Sequence, residues 1–172
     1  LYANIANTRN VVALDATSGQ VLWLYRYDEG DRYDEAPRKG PGRGVAFYSK
    51  GDKQRVIDIS PGYQMVSLDA ETGIPDPEFG KNGIVDLYQG LRNADDPRYP
   101  YPDIGISAPP FVMNDVIVVG AAHRTGGRPR SKFNTKGDIR GFDVHSGELL
   151  WTFHTIPEAG EYGYESWLSG ND

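Results

Sequence analysis

The stretch GFDVHSGELLW at residues 141–151 decides the fold, because its pattern occurs three times in the chain. ALDATSGQVLW at residues 13–23 repeats the whole pattern, and SLDAETG at residues 67–73 repeats its first part. In each copy an apolar run ends at an aspartate, and a glycine follows shortly after it. The carboxylate can accept hydrogen bonds from the next backbone N–H groups, and the glycine supplies a positive φ angle. Each copy therefore predicts a β-hairpin, with a tryptophan on the return strand of the first and third copies.

The rest of the chain is punctuated in the same way. Short β-branched runs, such as residues 10–14, 55–59 and 115–119, lie between Gly, Pro, Asn and Asp residues and are typical of strands. Apolar residues do not recur with helical spacing, so the sequence predicts an all-β protein with little helix. A tryptophan has a large flat ring to bury and one N–H to satisfy, which suits docking between adjacent sheets. Repeated hairpins of this kind indicate a β-propeller.

Composition excludes several classes of function. The 172 residues include 18 basic and 24 acidic side chains, which gives a formal net charge of −6. This balance argues against a nucleic-acid partner, because phosphate backbones require clustered Lys and Arg. Cysteine is absent from the sequence, which excludes disulfides, iron–sulfur clusters and cysteine-containing zinc sites. No run of apolar residues is long enough to predict a membrane-spanning helix.

The repeats resemble the tryptophan-docking motif of quinoprotein dehydrogenases, which use pyrroloquinoline quinone (PQQ). Further stretches resemble the same family in the same order, namely RGVAFY at 43–48, FGKNGIVDL at 79–87, SAPP at 107–110 and DIRGFD at 138–143. The resemblance covers nearly the whole chain. It is greatest to the membrane-type glucose dehydrogenases and their polyol and quinate relatives.

The resemblance implies an eight-bladed propeller that is much longer than this chain. Residues 1–172 would then form a partial β-propeller, with residues 1–27 as the end of one blade. Residues 43–87 would be a second blade, residues 106–156 a third, and residues 157–172 the beginning of a further blade. We expect such a partial propeller to self-associate, because its outer sheets leave apolar faces uncovered.

The implied function is that of an enzyme. It would oxidise hydroxyl groups of sugars, polyols or alcohols with PQQ and Ca²⁺, and pass electrons to a respiratory quinone or cytochrome. The family's catalytic aspartate lies beyond the part that resembles this chain, so we expect no catalytic residue here. The resemblance also implies a periplasmic protein, which regions outside this chain could attach to a membrane. The alternative is a non-catalytic propeller scaffold of the outer-membrane-assembly type, but the long insertions at 28–42 and 88–106 favour the enzyme.

Two residues are candidates for direct contact with the cofactor. In the family, the arginine that corresponds to Arg43 reaches the quinone, whose oxygens match a guanidinium fork. The alternative is a solvated arginine in a loop that also contains Arg38 and Lys39. Ser107 stands where the family has a hydroxyl side chain bonded to the cofactor. Its alternative role is to cap the start of a strand.

Two further candidates, Ala122 and His123, follow the predicted strand at 116–120, where the family's chain passes over the cofactor plane. A small residue at position 122 permits close approach of the backbone. His123 could contact the cofactor or the substrate, and the alternative is an ordinary surface histidine.

The sequence also departs from the family pattern. Residues 38–42 read RKGPG where the alcohol-oxidising subgroup has two adjacent cysteines, which favours sugar and polyol substrates. Arg124 and Thr125 stand where that subgroup has a glutamate calcium ligand, so we assign no metal ligand. The middle repeat has IPDPE at 74–78 and lacks its tryptophan, so its docking contact must differ.

Two charged stretches are interpreted as surface segments. Residues 28–35 are acidic but do not match the spacing of a calcium-binding loop, and they predict a solvated loop. Residues 124–136 are rich in Gly and basic residues and predict a flexible insertion, with steering of an acidic electron acceptor as a second role.

Overall fold

The computed structural model describes residues 1–95, 97, 100–124, 126, 129 and 131–168. In this part of the chain antiparallel strands dominate, and the two helices, α1 (Asp31–Asp34) and α2 (Tyr164–Leu168), are short. The strands are β1 (Tyr2–Ile5), β2 (Asn10–Leu14), β3 (Val21–Tyr25), β4 (Ala46–Lys50), β5 (Lys53–Ile59), β6 (Gln64–Asp69), β7 (Ile84–Asp86), β8 (Ile104–Gly105), β9 (Phe111–Met113), β10 (Val116–Val119), β11 (Ala122–His123), β12 (Ile139–Asp143) and β13 (Leu149–Phe153). The prediction of an all-β protein is confirmed.

The strands form three larger sheets and one small ladder among the described residues. The first sheet has the order β1-β2-β3, the second β4-β5-β6-β7, and the third β9-β10-β12-β13, while β8 pairs with β11. Consecutive strands pair as antiparallel neighbours within the first and second sheets. The three sheets fall inside the ranges 1–27, 43–87 and 106–156, whose assignment as blades stays a prediction. Of the predicted range 157–172, residues 169–172 lie outside the described residues.

The predicted strand at 10–14 is β2, with the same bounds, whereas the acidic stretch at 28–35 contains the short helix α1. The interpretation of that stretch as a loop is therefore wrong for its central residues. Gly30 precedes the helix with a positive φ of 55°, and the backbone N–H of Glu35 closes the turn on the carbonyl of Asp31 at 3.0 Å. A single turn of this kind has no apolar periodicity by which the sequence could reveal it.

Each of the three repeated turns is closed by its aspartate, as the sequence predicts. Asp15 Oδ1 accepts hydrogen bonds from the backbone N–H groups of Thr17 at 3.0 Å and Ser18 at 2.7 Å. Asp69 and Asp143 accept hydrogen bonds in the same way from the backbone N–H groups two and three residues after them. The donated bonds lower the pKa of Asp15 below its usual value. The three turns therefore share one local geometry, but only the first and third copies form the predicted hairpin, β2–β3 and β12–β13. The middle copy is followed by a single bridge between Leu68 and Pro75, so the prediction of a hairpin is wrong there.

The second sheet is covered on both faces, and β5 shows this most clearly. Because successive side chains of a strand point to opposite faces, Val56 joins one buried cluster while Ile57 and Ile59 join another. The cluster of Val56 contains Val11 and defines what we call the first interface, between the first and second sheets. The cluster of Ile57 contains residues of β10 and β12 and defines the second interface, between the second and third sheets.

Candidate cofactor-binding site

A pocket of about 200 Å³ lies where segments associated with all three sheets come together. Arg9 reaches it from the turn between β1 and β2, and Asp58 from the end of β5. The segment that precedes β4 contributes Arg43, and the segment that precedes β9 contributes Ser107. The structure thus brings two of the four predicted site residues to one pocket, although they are far apart in sequence.

The segment that carries Arg43, residues 38–44, is held by close contacts at both of its ends. A Cβ atom on Gly42 would lie 2.5 Å from Oδ1 of Asn4, so a larger residue at this position would have to displace that side chain of β1. At the other end Arg38 Nη2 donates to the carbonyl of His123, in β11, at 2.5 Å. The segment therefore lies between the first sheet and the β8–β11 ladder.

The charges that line the pocket are mostly positive. Arg9, Arg38, Lys39 and Arg43 contribute four cations, against the single carboxyl of Asp58 among the residues that line it. Burial raises the pKa of Asp58 to about 6, and the nearby charge of Arg9 opposes that rise. A pocket with this balance suits an anionic ligand, because ionised donors form the stronger hydrogen bonds to carboxylates.

Sequence reasoning did not identify Arg9 or Asp58 as residues of this site. The sequence could have indicated Asp58, because it is an acid inside the apolar run at 55–59. The structure shows that it is buried. Charged residues are seldom buried without a partner or a function. The sequence does not single out Arg9 in this way, since it lies in a polar turn and the hydrogen-bond partners of its side chain are all distant in sequence.

Ala122 and His123 lie in β11, beside the pocket of Arg43 and Ser107. Ala122 pairs with Gly105 of β8, two residues before Ser107. The imidazole of His123 is exposed, and its Nδ1 lies 3.3 Å from the carbonyl oxygen of Asp103. It lines a smaller pocket of about 110 Å³ together with Asp103 and Arg124. The roles predicted for Ala122 and His123 stay predictions.

Two further findings concern metals and membranes. Within the described ranges, no three His, Asp or Glu side chains lie close enough together to hold a metal ion. No helix in those ranges has the length and apolarity needed to cross a membrane. Thr125, Arg128 and Arg130, which belong to the predicted insertion at 124–136, lie outside the described residues.

Antiparallel sheets packed face to face, with repeated Asp–Gly turns at their contacts, define a segment of a β-propeller. The family model for the β-propeller domain of PQQ-dependent glucose, ethanol and alcohol dehydrogenases matches residues 1–171. The chain therefore belongs to the family of PQQ-dependent dehydrogenases.

The similarity to individual proteins supports this family assignment. The chain is 29% identical to the glycerol dehydrogenase large subunit of Gluconobacter thailandicus, over 84% of this chain and 19% of that protein. It is 27% identical to the quinoprotein glucose dehydrogenase of Escherichia coli, over 89% of this chain and 19% of that protein. The solved quinohemoprotein alcohol dehydrogenase of Comamonas testosteroni has the same fold over 98% of this chain and 22% of its own length, with a TM-score of 0.67 and 19% identity. The chain thus spans about a fifth of the length of the relatives that it matches.

Proposed function

We propose that this chain is part of a PQQ-dependent dehydrogenase that oxidises the hydroxyl groups of sugars, polyols or alcohols. Electrons would pass to a respiratory acceptor, either a quinone or a cytochrome. The observation that carries the proposal is the cationic pocket in which Arg43 and Ser107 meet. The names of the glycerol and glucose dehydrogenases among its relatives support polyols and sugars as the substrate class.

The residues that line the pocket fit the chemistry of PQQ, a flat quinone that carries several carboxylates. Arg38, Lys39 and Arg43 offer cationic donors, and Ser107 offers a hydroxyl group. The Nε atom of Arg38 is buried and has no hydrogen-bond partner among the described residues. Because a buried donor without a partner is costly, this N–H is suited to donate to a carboxylate of a ligand.

The protein would bind and orient the cofactor through these side chains. PQQ, when bound, supplies the two-electron oxidant for the hydroxyl group of the substrate. Arg43 would pair with oxygens of the cofactor through its guanidinium fork, and Ser107 would donate one hydrogen bond that sets the orientation of the ring. For calcium, which the family resemblance implies, no group of three or more His, Asp or Glu side chains lies close together among the described residues. Its ligands are therefore not assigned to this part of the chain.

The decisive experiment is a titration of PQQ into the cofactor-free intact protein, followed by absorbance, for the wild type and for Arg43→Ala. Loss of one charged hydrogen-bonded pair costs about 1.5–3 kcal/mol. The Kd of the variant should therefore rise by roughly 10-fold to 150-fold. Reduction of a dye by the reconstituted enzyme with glucose, glycerol or quinate then identifies the substrate class.

Arg26→Ala is the matched control, because Arg26 is an exposed arginine that lines a different part of the surface. Its affinity for PQQ should equal that of the wild type. Equal affinities of the wild type and Arg43→Ala would remove Arg43 from the site. A wild-type protein that does not bind PQQ would overturn the proposed function.

The proposal also includes the location of the protein in the cell and the association of the chain with itself. A periplasmic location is proposed from the family resemblance, and cell fractionation of the native host tests it. Self-association of the 172-residue chain is proposed because Leu149, Leu150 and Phe153 of β13 are exposed apolar side chains. Analytical ultracentrifugation at increasing concentration should show dimers or larger species, and a monomer throughout would contradict it.

A further inference from the structure

Arg9 is a buried arginine whose guanidinium donates hydrogen bonds to backbone carbonyls of three separate segments. The residue is 8% exposed. Nε donates to Gly40 at 3.3 Å, and Nη2 donates to Arg38 at 2.9 Å. Nη1 donates to Ile59 at 3.1 Å, and Nη2 donates also to Ile106 at 3.0 Å. One side chain thus connects the loop before β4, the end of β5 and the segment before β9.

Each of these carbonyls lies beside a residue that lines the cationic pocket. Arg38 and Gly40 flank Lys39 in the segment that leads to Arg43, while Ile106 immediately precedes Ser107. A guanidinium has five N–H donors in a fixed fork, and four of them are used by these carbonyls. Arg9 therefore has little capacity left for a ligand of its own, although it lines the pocket.

The backbone of Arg9 supports the same interpretation. Its φ is +52°, in the left-handed region that a non-glycine residue seldom adopts. Such a conformation costs free energy and persists where surrounding contacts hold it. Here the hydrogen bonds of the side chain supply those contacts.

We propose that Arg9 is a positioning residue, which holds the loop of Arg43 and the segment of Ser107 in the arrangement that binds the cofactor. This inference rests on the proposed function, because it concerns the same pocket. The fork of Arg9 orders both segments before a ligand arrives, so that binding does not have to order them.

The test is Arg9→Lys in the intact cofactor-free protein, since lysine keeps the charge but cannot span four carbonyls with one planar group. The Kd for PQQ should rise by about tenfold, which corresponds to the ordering of one or two side chains on binding. Hydrogen exchange of residues 38–44 and 106–107 should become faster in the variant without any ligand, while exchange of β12 and β13 should stay unchanged.

Arg140→Lys is the matched control. Arg140 is 1% exposed and donates to the backbone carbonyls of Leu87 at 2.6 Å and Gln89 at 2.9 Å, but it does not line the pocket. This variant should lose thermal stability while its Kd for PQQ stays within about twofold of the wild type.

A double-mutant cycle separates positioning from general destabilisation. If Arg9 acts through the loop of Arg43, Arg9→Lys should change the Kd much less in an Arg43→Ala background than in the wild type. Additive effects, an unchanged Kd in Arg9→Lys, or an equal rise in Kd in Arg140→Lys would each overturn the inference. Failure of the wild type to bind PQQ would overturn the proposed function instead, and the exchange rates of residues 38–44 would still decide whether Arg9 orders the loop.

Discussion

The two interfaces between neighbouring sheets use the same turn but different side chains to hold it. In the first interface, the indole N–H of Trp23 donates to the carbonyl of Ala70 at 3.1 Å, and its ring covers Gly73. In the second interface, the carbonyl at the corresponding position belongs to Val144, and Arg55 donates to it at 2.7 Å. The sequence expectation that the repeat without tryptophan has a different docking contact is therefore confirmed.

The glycine of each turn is covered in a correspondingly different way. A Cβ atom on Gly73 would lie 2.6 Å from the ring of Trp23, whereas a Cβ atom on Gly147 would lie 2.5 Å from Val85 and 3.2 Å from Phe79. Both interfaces thus satisfy one carbonyl and cover one glycine. These two requirements are therefore met at both interfaces, while the side chains that meet them differ.

The use of an arginine in place of a tryptophan puts charged groups in the interior of the protein. Arg55 is 3% exposed and forms an ion pair with Asp76, so the second interface contains a buried cation with its partner. Asp58, three residues further along β5, brings a buried acid to the first interface beside Arg9. A tryptophan contributes its N–H without a charge, whereas an arginine in the same role requires an acid nearby.

The largest expected effect is that of Arg55→Met, which removes the donor to Val144 and leaves Asp76 without its partner. Breaking a buried ion pair from one side costs about 3–5 kcal/mol, and urea denaturation measures the loss in free energy of unfolding. Lys53→Met is the control on the same strand, because its pair with Glu78 at 3.3 Å is exposed. It should cost less than about 1 kcal/mol. Equal losses in the two variants would contradict the role of Arg55.

The next largest effect is the pH dependence of the free energy of unfolding that Asp58, at the first interface, causes. Because its folded pKa, about 6, lies above the unfolded value of 3.8, its contribution favours folding at low pH. That contribution is lost as the pH rises through 6, and the change amounts to about 3 kcal/mol. Asp58→Asn should remove this dependence and stabilise the protein at pH 8, as urea denaturation across pH 4–8 would show.

Asp69→Asn is the opposite control for that measurement. The hydrogen bond from Thr72 lowers the pKa of Asp69, so its stabilisation is present above the unfolded pKa and is lost as the pH falls through the folded one. Over pH 4–8, Asp69→Asn should therefore leave the slope of stability with pH unchanged, and its own effect, opposite in sign to that of Asp58→Asn, should appear only below about pH 4. A slope over pH 4–8 that Asp58→Asn leaves unchanged would show that Asp58 does not titrate as described.

A smaller difference in stability is expected between substitutions at the two covered glycines and a substitution at an uncovered one. Gly19, Gly73 and Gly147 have nearly the same φ, at 74°, 72° and 74°, but a Cβ atom on Gly19 would meet nothing within 4 Å. Gly19→Ala should cost roughly 1–2 kcal/mol for the left-handed backbone. Gly73→Ala and Gly147→Ala should cost about 1–3 kcal/mol more, because the methyl group collides with the docked side chains. Equal losses in thermal stability at all three positions would refute the contacts across the interfaces.

The smallest expected effect is that of Trp23→Phe, which keeps an aromatic ring over Gly73 but removes the N–H donor. The loss should be about 1 kcal/mol, since the hydroxyl group of Tyr2 also donates to Ala70, at 3.0 Å, and continues to satisfy that carbonyl. Trp151→Phe, at a position that is 42% exposed, should cost about half as much or less. A larger loss for Trp151 than for Trp23 would mean that the first interface does not depend on the indole hydrogen bond.

Much of the fold could be predicted from the sequence, because its signals are local. The run at 10–14 is β2 with the predicted bounds, and the turns at Asp15, Asp69 and Asp143 have the hydrogen bonds expected from their residue types. Each of these depends on residues a few positions apart. The β8–β11 ladder was not predicted, because its strands are two residues long and carry no alternation.

The candidate site could be predicted in part. Arg43 and Ser107 were identified by resemblance, and the structure places both at one pocket. The side-chain hydrogen bonds of Arg9 span between 29 and 97 residues along the chain. A pattern of neighbouring residues cannot predict contacts between residues that far apart in the sequence. The sequence therefore did not identify Arg9 as a residue of the site.

By itself, the sequence determined the all-β class, the three Asp–Gly turns and the family, since these follow from short-range hydrogen bonding and from motif order. The tertiary structure alone decided that Arg55 replaces a tryptophan at the second interface, that Asp58 is buried, and that Arg9 gathers three segments around the pocket. The physical reason is that a turn is stabilised by atoms within a few residues of each other. The partner of a buried charge or carbonyl, in contrast, is chosen by the packing of whole sheets.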